Sequence, residues 1–224
     1  MSATVPLRHR PGPGGGPGTI AGMKPLPTLS APQILTGRLR LRRAHDADTG
    51  GLVELRTDPE VRAHLGGPQP RAAVEGYFAA YGVGAFADKP GAYVIADRST
   101  DRCLGVLVLD RRSAELPGHV DRAGGELELS YVLRRTDWGA GVAFEAASAA
   151  LRAAAEELPD QPVLVVTQAA NARAVSPAVR LGFRAAASFE AYGAEQLLAV
   201  ADLHAFEAPP PLRQPRLTGR SLST

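Results

Sequence analysis

The spacing of apolar and polar positions divides the chain into strand and helix signals. Leu39-Arg40-Leu41-Arg42 repeats with period two and predicts a strand. Asp46 to Arg56 predicts a helix, with Asp46 as its N-cap and Leu52 and Leu55 on its apolar side. Asp58-Pro59-Glu60 predicts a helix start, because proline suits the first turn and acids favour the positive end of the helix dipole. Pro70 to Tyr81 predicts another helix, with Val74, Phe78 and Tyr81 on one face. Ala92 to Asp97 and Cys103 to Asp110 predict strands around the turn Ser99-Thr100-Asp101-Arg102. Leu127 to Leu133 predicts a third strand of this group. Its alternation puts Glu126, Glu128 and Ser130 on one face and Leu127, Leu129 and Tyr131 on the other.

An alanine-rich helix is expected from about Gly141 to Glu157. Val163 to Thr167 is continuously apolar, as in a strand covered on both faces. A shorter helix runs from Asn171 to Leu181 and stops at Gly182, a good C-terminal cap. Ala185 to Glu190 and Gln196 to Asp202 close the pattern as strands. The sum is an α+β domain, one mixed sheet with helices on its faces.

The ends of the chain lack this patterning. Residues 1–32 carry Pro11-Gly12-Pro13-Gly14-Gly15-Gly16-Pro17-Gly18 and further prolines, and 207–224 carry Pro209-Pro210-Pro211. Such segments cannot bury enough apolar area to offset their ordering entropy, so two disordered tails are expected around a domain at 33–206. With 224 residues, 45% of them hydrophobic, one domain with a substantial core is affordable.

A formal net charge of +2 gives no argument for nucleic acid. Arg38, Arg40, Arg42 and Arg43 read as a solvated strand face rather than a nucleic-acid stripe. The single cysteine, Cys103, excludes an intrachain disulfide and sits in an apolar run that predicts burial. No Cys/His spacing suits a metal. His45, His64, His119 and His204, with His9 in the tail, have no triad or metal partner at useful spacing and read as structural. No apolar run approaches the ~18 residues of a membrane span, and no signal-peptide core is present, so a soluble cytoplasmic protein is expected.

The richest stretch is Tyr131-Val132-Leu133 through Trp138-Gly139-Ala140-Gly141-Val142-Ala143. A strand ends, a G-x-G turn follows and a helix begins. That order aims free backbone N–H groups at one place, which suits phosphate. The plainer account is a tight turn that needs glycine for backbone reasons. A dinucleotide-binding Rossmann unit is disfavoured, because Asp160 lies in the exit turn of the helix rather than at the end of a second strand. A Walker loop is excluded, since no lysine follows the glycines.

With Glu145-Ala146 added, this stretch resembles the acetyl-CoA loop of the GNAT superfamily. The branch it resembles contains the Rim enzymes, which acetylate the N termini of ribosomal proteins. Asn171-Ala172-Arg173-Ala174 with Arg180-Leu181-Gly182-Phe183 is similar to a second family block, and Leu35-Thr36-Gly37-Arg38-Leu39-Arg40-Leu41-Arg42 to the opening strand. Asp58-Pro59-Glu60-Val61 also recurs there. The resemblance covers about Leu35 to Val200 in one consistent order.

The resemblance implies a mostly antiparallel sheet of six to seven strands and acetyl-CoA as co-substrate. It implies that backbone groups of Val132 and Leu133 pair with the pantetheine arm, and that the amides from Trp138 through Gly139, Ala140, Gly141, Val142 and Ala143 hold the diphosphate. Asn171 would touch the cofactor, cap its helix, or both. Trp138 reads as a packing residue over the loop.

For the chemistry, Glu128 is the candidate base, with Glu126 on the same face; the bland alternative is two solvated acids. The tyrosine that many relatives use as general acid is Ala178 here, the family serine is Ala174, and Pro177 interrupts the helix pattern. Ser176 stands two residues from Ala174, Phe144 replaces a usual threonine, and Tyr192 either lines the acceptor cleft or packs. The expected activity is transfer of an acetyl group to an amine, either a protein N-terminus or a small molecule, by a monomer or homodimer. A catalytically weak acyl-CoA-binding regulatory domain is the alternative.

Overall fold

The computed structural model describes residues 26–84 and 89–207. Residues 1–25 and 208–224, which hold most of the two expected tails, lie outside the described residues. In chain order the elements are β1 (Ile34–Leu35), β2 (Leu39–Arg42), α1 (Thr49–Thr57), α2 (Pro59–Arg62), α3 (Arg71–Tyr81), β3 (Ala92–Asp97), β4 (Cys103–Arg111), β5 (Leu127–Leu133), α4 (Val142–Glu157), β6 (Pro162–Gln168), α5 (Ala172–Leu181), β7 (Arg184–Ala191) and β8 (Ala194–Asp202). Eight strands form one sheet in the order β1-β2-β3-β4-β5-β6-β8-β7. The periodicity marks seven of them. The eighth, β1, has two residues, too few to carry a period. Every neighbouring pair is antiparallel except β5 and β6.

Local chemistry sets the helix ends. Asp58 Oδ1 accepts from the amides of Glu60 (2.8 Å) and Val61 (3.1 Å), with Pro59 in the first turn of α2. The expected cap at Asp46 is not made. A 3-10 turn over Asp46–Asp48 precedes α1, and Asp48 accepts from the amide of His45 instead. Asp48 is buried and takes the Arg42 guanidinium through two hydrogen bonds, of 2.7 and 3.0 Å. Arg42 is therefore not on a solvated face: the strand turns it inward, where Asp48 and Asp101 compensate its charge. Tyr81 also departs from expectation, because it stands exposed at the end of α3 while Val74 and Phe78 are buried.

The sheet separates two cores. On one face α4 packs Ala146, Ala147, Ala150, Leu151 and Ala154 against Tyr93, Ile95, Leu107, Leu127 and Leu129. On the other, α1 and α3 pack Leu52, Val53, Val74 and Phe78 against Val94, Ala96, Cys103 and Val106. Cys103 is buried there, and desolvation pushes its thiol up to about 11.

The segment 26–32, expected within the tail, lies against the domain. Leu29 is completely buried in the first core. The Ser30 amide donates to Glu157, Tyr93 Oη donates to the Ala31 carbonyl (2.6 Å), and Arg111 donates to the Pro27 carbonyl. Two leucines among prolines, Leu26 and Leu29, give no periodic signal that marks Leu29 as the buried one. Leu29→Ala should lower the unfolding free energy by about 2–5 kcal/mol. Urea denaturation checks this, and an unchanged midpoint would show that the segment is not held.

Candidate active site

β5 and β6 pair through only two residues, Leu127 with Val163 and Glu128 with Leu164. Beyond them β5 continues on β4 to Leu133, while β6 continues on β8 to Gln168. A gap therefore opens inside the sheet. The β4–β5 ladder is bracketed by Arg112 N–H to Glu126 O and Arg134 N–H to Leu104 O. Alternation then turns the peptide groups of Glu128, Ser130 and Val132 toward β4. Val132 is paired with Val106, so its amide and carbonyl belong to the sheet. The groups that face the gap are those of Tyr131 and the amide of Leu133, and the Leu133 carbonyl accepts from Trp138 Nε1 (3.0 Å).

The loop at the open end is braced from three sides. Arg102 holds Asp137 with two hydrogen bonds, of 2.6 and 3.1 Å. Arg134 pairs with Glu54 of α1 (2.6 Å). Glu145, in the first turn of α4, accepts from Thr36 Oγ1 (2.5 Å) and from the Arg38 amide and guanidinium, and Arg38 also donates to the Ala140 carbonyl (3.1 Å). Burial works against the Glu145 charge, but these bonds hold its carboxyl below the usual range.

Gly139 (φ 76°) and Gly141 (φ 78°) are in the left-handed region, which only glycine adopts readily, and Gly141 is the N-cap of α4. No side chain caps this helix. The amides of Gly139, Ala140 and Gly141 donate to no acceptor among the described residues, and those of Val142, Ala143 and Phe144 precede the first helical bond, from Glu145 to Gly141. Trp138 packs between the two cores, with the Arg173 guanidinium 4.5 Å from its ring.

On the far bank, Asn171 caps α5: its Oδ1 accepts from the Ala174 amide (3.3 Å) and its Nδ2 donates to Thr167 Oγ1 (3.1 Å). α5 runs unbroken through Pro177, whose missing N–H leaves the Arg173 carbonyl without its helical donor. Tyr131 Oη crosses to the Ala174 carbonyl (2.7 Å), and burial keeps this phenol protonated. Ser176 is exposed. Tyr192 sits at φ 57° in the turn between β7 and β8, more than a third exposed.

The two acids are not free surface groups. Glu126 is buried. Its Oε1 accepts from the amides of Val120 (2.9 Å) and Asp121 (2.8 Å), and its Oε2 lies 2.6 Å from His119 Nδ1. Burial opposes its charge, yet these bonds hold the carboxyl below the ordinary range. Glu128 pairs with Arg112 (2.8 Å), and a quarter of its side chain is open. Desolvation raises its pKa, Arg112 and His119 act against the rise without overcoming it, and Asp110 adds to it. Asp110, across the strand pair, is the like charge that matters, rather than Glu126. Arg112 and His119 carry no sequence signal, because they reach this face from the ends and middle of an irregular loop. Glu128 stands where β5 and β6 part. The gap runs from it to the amide-rich loop beyond Leu133, roughly 17 Å at strand rise.

Residues 38–184 match a family model described as an acetyltransferase (GNAT) domain. No curated protein matches the sequence. Among solved structures, a GNAT-family acetyltransferase from Bacillus anthracis is similar, with TM-score 0.62 and 16% identity over 76% of this chain and 98% of that one. A candidate ribosomal-protein-serine acetyltransferase from Vibrio cholerae matches with TM-score 0.53 and 17% identity, covering 76% of this chain and 95% of that one. A spermidine N-acetyltransferase from Vibrio cholerae, solved with CoA and spermine, matches with TM-score 0.57 and 13% identity over 76% and 99%.

Glu126→Gln should destabilise the protein by about 1.5–3 kcal/mol at pH 7, the usual worth of hydrogen bonds to a charged group. Folding lowers the Glu126 pKa from 4.5, so this contribution is fully present above about that pH and is lost as pH falls through the folded-state value. Denaturation of both proteins at pH 7 and at about pH 3 checks the sign. A difference that stays constant would mean that the charge is not what matters.

Proposed function

The chain belongs to the GNAT acetyltransferase family, and from that premise we propose that it moves an acetyl group from acetyl-CoA to a primary amine, in the manner of the Rim-like branch. The observation that carries this reading is the two-residue pairing of β5 with β6, which leaves a peptide edge open beside a cluster of free amides. The diphosphate of acetyl-CoA sits on the amides from Gly139 to Ala143, where the start of α4 favours negative charge. The pantetheine arm runs along Tyr131 and Leu133 as an added strand, with Trp138 closing its side. Asn171 serves by fixing the start of α5 on the opposite bank.

This path brings the thioester to the point where the strands part, beside Glu128. Its partly open carboxyl, raised by burial, is suited to take the proton of the incoming amine. Glu126 acts indirectly, by holding the loop that covers Glu128. The neutral amine attacks the thioester carbon, the C–S bond breaks and CoA leaves as thiol. A protein N-terminus and a small amine such as a polyamine are both acceptors of the required chemistry. A second reading, a catalytically weak acyl-CoA-binding domain, draws on α5, where exposed Ser176 is the lone hydroxyl.

Acetyl-CoA at a hundredfold excess over its Kd should raise the melting temperature by roughly 5–10 °C. Gly141→Glu should abolish that shift by strain and charge repulsion, and a retained shift refutes the loop assignment. Glu128→Gln should slow amine-dependent thiol release by about a hundredfold or more while leaving acetyl-CoA affinity unchanged. Thermal stabilisation without thiol release from the native protein would favour the second reading.

A further inference from the structure

We propose that Arg173 and Arg180 of α5 form a second anion site beside the amide-rich loop, and that it takes the 3′-phosphate of CoA. The proposal rests on the acyl-CoA reading above and deepens it, by naming which form of the carrier the gap selects. Both arginines are exposed, and each lays its guanidinium over an aromatic ring of the opposite bank. The Arg173 guanidinium stands 4.5 Å from the ring centre of Trp138, where the loop begins. That of Arg180 stands 4.5 Å from the ring centre of Phe144, in the first turn of α4. Helix geometry explains how residues seven positions apart serve one place. Seven residues make about two turns, so both side chains leave the same face of α5. Helical side chains also tilt toward the N-terminus, so Arg180 reaches back toward the end that Asn171 caps.

Charge makes the arrangement informative. Neither guanidinium has a carboxylate or hydrogen-bond partner among the described residues. Cations are disfavoured at a helix start, where the dipole is already positive. The one acid of that turn, Glu145, is taken by Thr36 and Arg38. Two arginines are thus held where nothing on the protein balances their charge, and an anion would balance it. The rings supply a resting place rather than a lock. A cation–π contact at an exposed site is weak, and a guanidinium on a ring keeps its N–H donors for another partner.

Matching donors to phosphates identifies the anion. The free amides at the start of α4 suffice for a diphosphate, the group already placed there. CoA carries one phosphate more, a monoester on its ribose with roughly two negative charges at neutral pH. The forked donors of arginine suit the oxygens of such a group. Dephospho-CoA lacks that monoester and is otherwise the same molecule. Arg173 and Arg180 therefore give the gap a preference for CoA over dephospho-CoA, which amides gripping only the diphosphate would not confer.

The test is calorimetric titration of the full chain with CoA and with dephospho-CoA. CoA should bind about tenfold or more tightly than dephospho-CoA, as expected of charge-assisted hydrogen bonds to one phosphate. That advantage should shrink as salt is added. Arg173→Gln and Arg180→Gln should each narrow the ratio, and together bring it near one, by weakening CoA while dephospho-CoA binds as before. Retained dephospho-CoA binding also shows that the variants fold. Equal affinity of the native protein for the two ligands overturns the proposal and leaves the acyl-CoA reading intact. So does a double variant that keeps the native preference, or variants that weaken both ligands alike, which would assign the arginines a structural role. If neither ligand binds the native protein, the acyl-CoA reading fails and the site falls with it. Should the double variant not fold, the single variants decide by the same ratio.

Discussion

The parting of β5 from β6 after two paired residues is the constraint from which the site follows. A strand edge inside a sheet is normally satisfied by its neighbour, and a buried peptide group left unpaired costs about 1–3 kcal/mol. Here the edge is kept open by braces that replace ladder bonds. Trp138 Nε1 takes the Leu133 carbonyl, and Tyr131 Oη spans from β5 to the Ala174 carbonyl on α5. The Tyr131 bond joins the two banks at a separation that strand pairing would collapse, and the Arg173 guanidinium of α5 over the Trp138 ring is a second contact between them. What stays unpaired between them, the peptide of Tyr131 and the amide of Leu133, is an edge of the kind that an extended ligand completes.

The loop at the mouth of the gap depends on a remote part of the chain. Glu145 binds Thr36 and Arg38, and Arg38 reaches the Ala140 carbonyl. The opening strand therefore holds the turn that precedes α4. This explains why two sequence blocks a hundred residues apart belong to one resemblance: they are halves of one hydrogen-bonded unit. It also keeps the Glu145 carboxylate, which would repel an anion at a helix start, turned onto Arg38. The guanidinium brings positive charge to the loop in its place.

The elements were legible because they repeat. Alternation in Leu127–Leu133 and the alanine run after Gly141 each span many residues and survive in the structure with their faces as read. The caps at Asp58, Asn171 and Gly182 were legible for a different reason, since a single residue type answers a single backbone need. Single contacts between distant segments were not legible. Leu29 has no periodic company, and Arg42 looks like its exposed neighbours until Asp48 and Asp101 are placed beside it. The Val132 assignment failed on parity: sequence identifies the strand, but only the register with β4 decides which peptide groups face the gap. His119 reads as a stray histidine because its partner lies beyond a turn of irregular loop.

The departures on α5 carry a chemical consequence. Ala178 is buried where an acid would need a hydroxyl, Ser176 is exposed, and the Tyr131 hydroxyl is committed to a carbonyl and kept protonated by burial. None of these changes disturbs the helix, because its ends are fixed by Asn171 and by Gly182 with Phe183, and because Ala178 is its one fully buried residue. Help for the departing sulfur is therefore not built into this bank. A thiol with a pKa of about 8.5 is a good leaving group near neutrality, so that help is dispensable. Removal of the amine proton is not, since an ammonium has no lone pair with which to attack. No side chain described on this bank is free to remove it; on the opposite bank two acid–base pairs, Arg112 with Glu128 and His119 with Glu126, stand on adjacent same-face positions of β5.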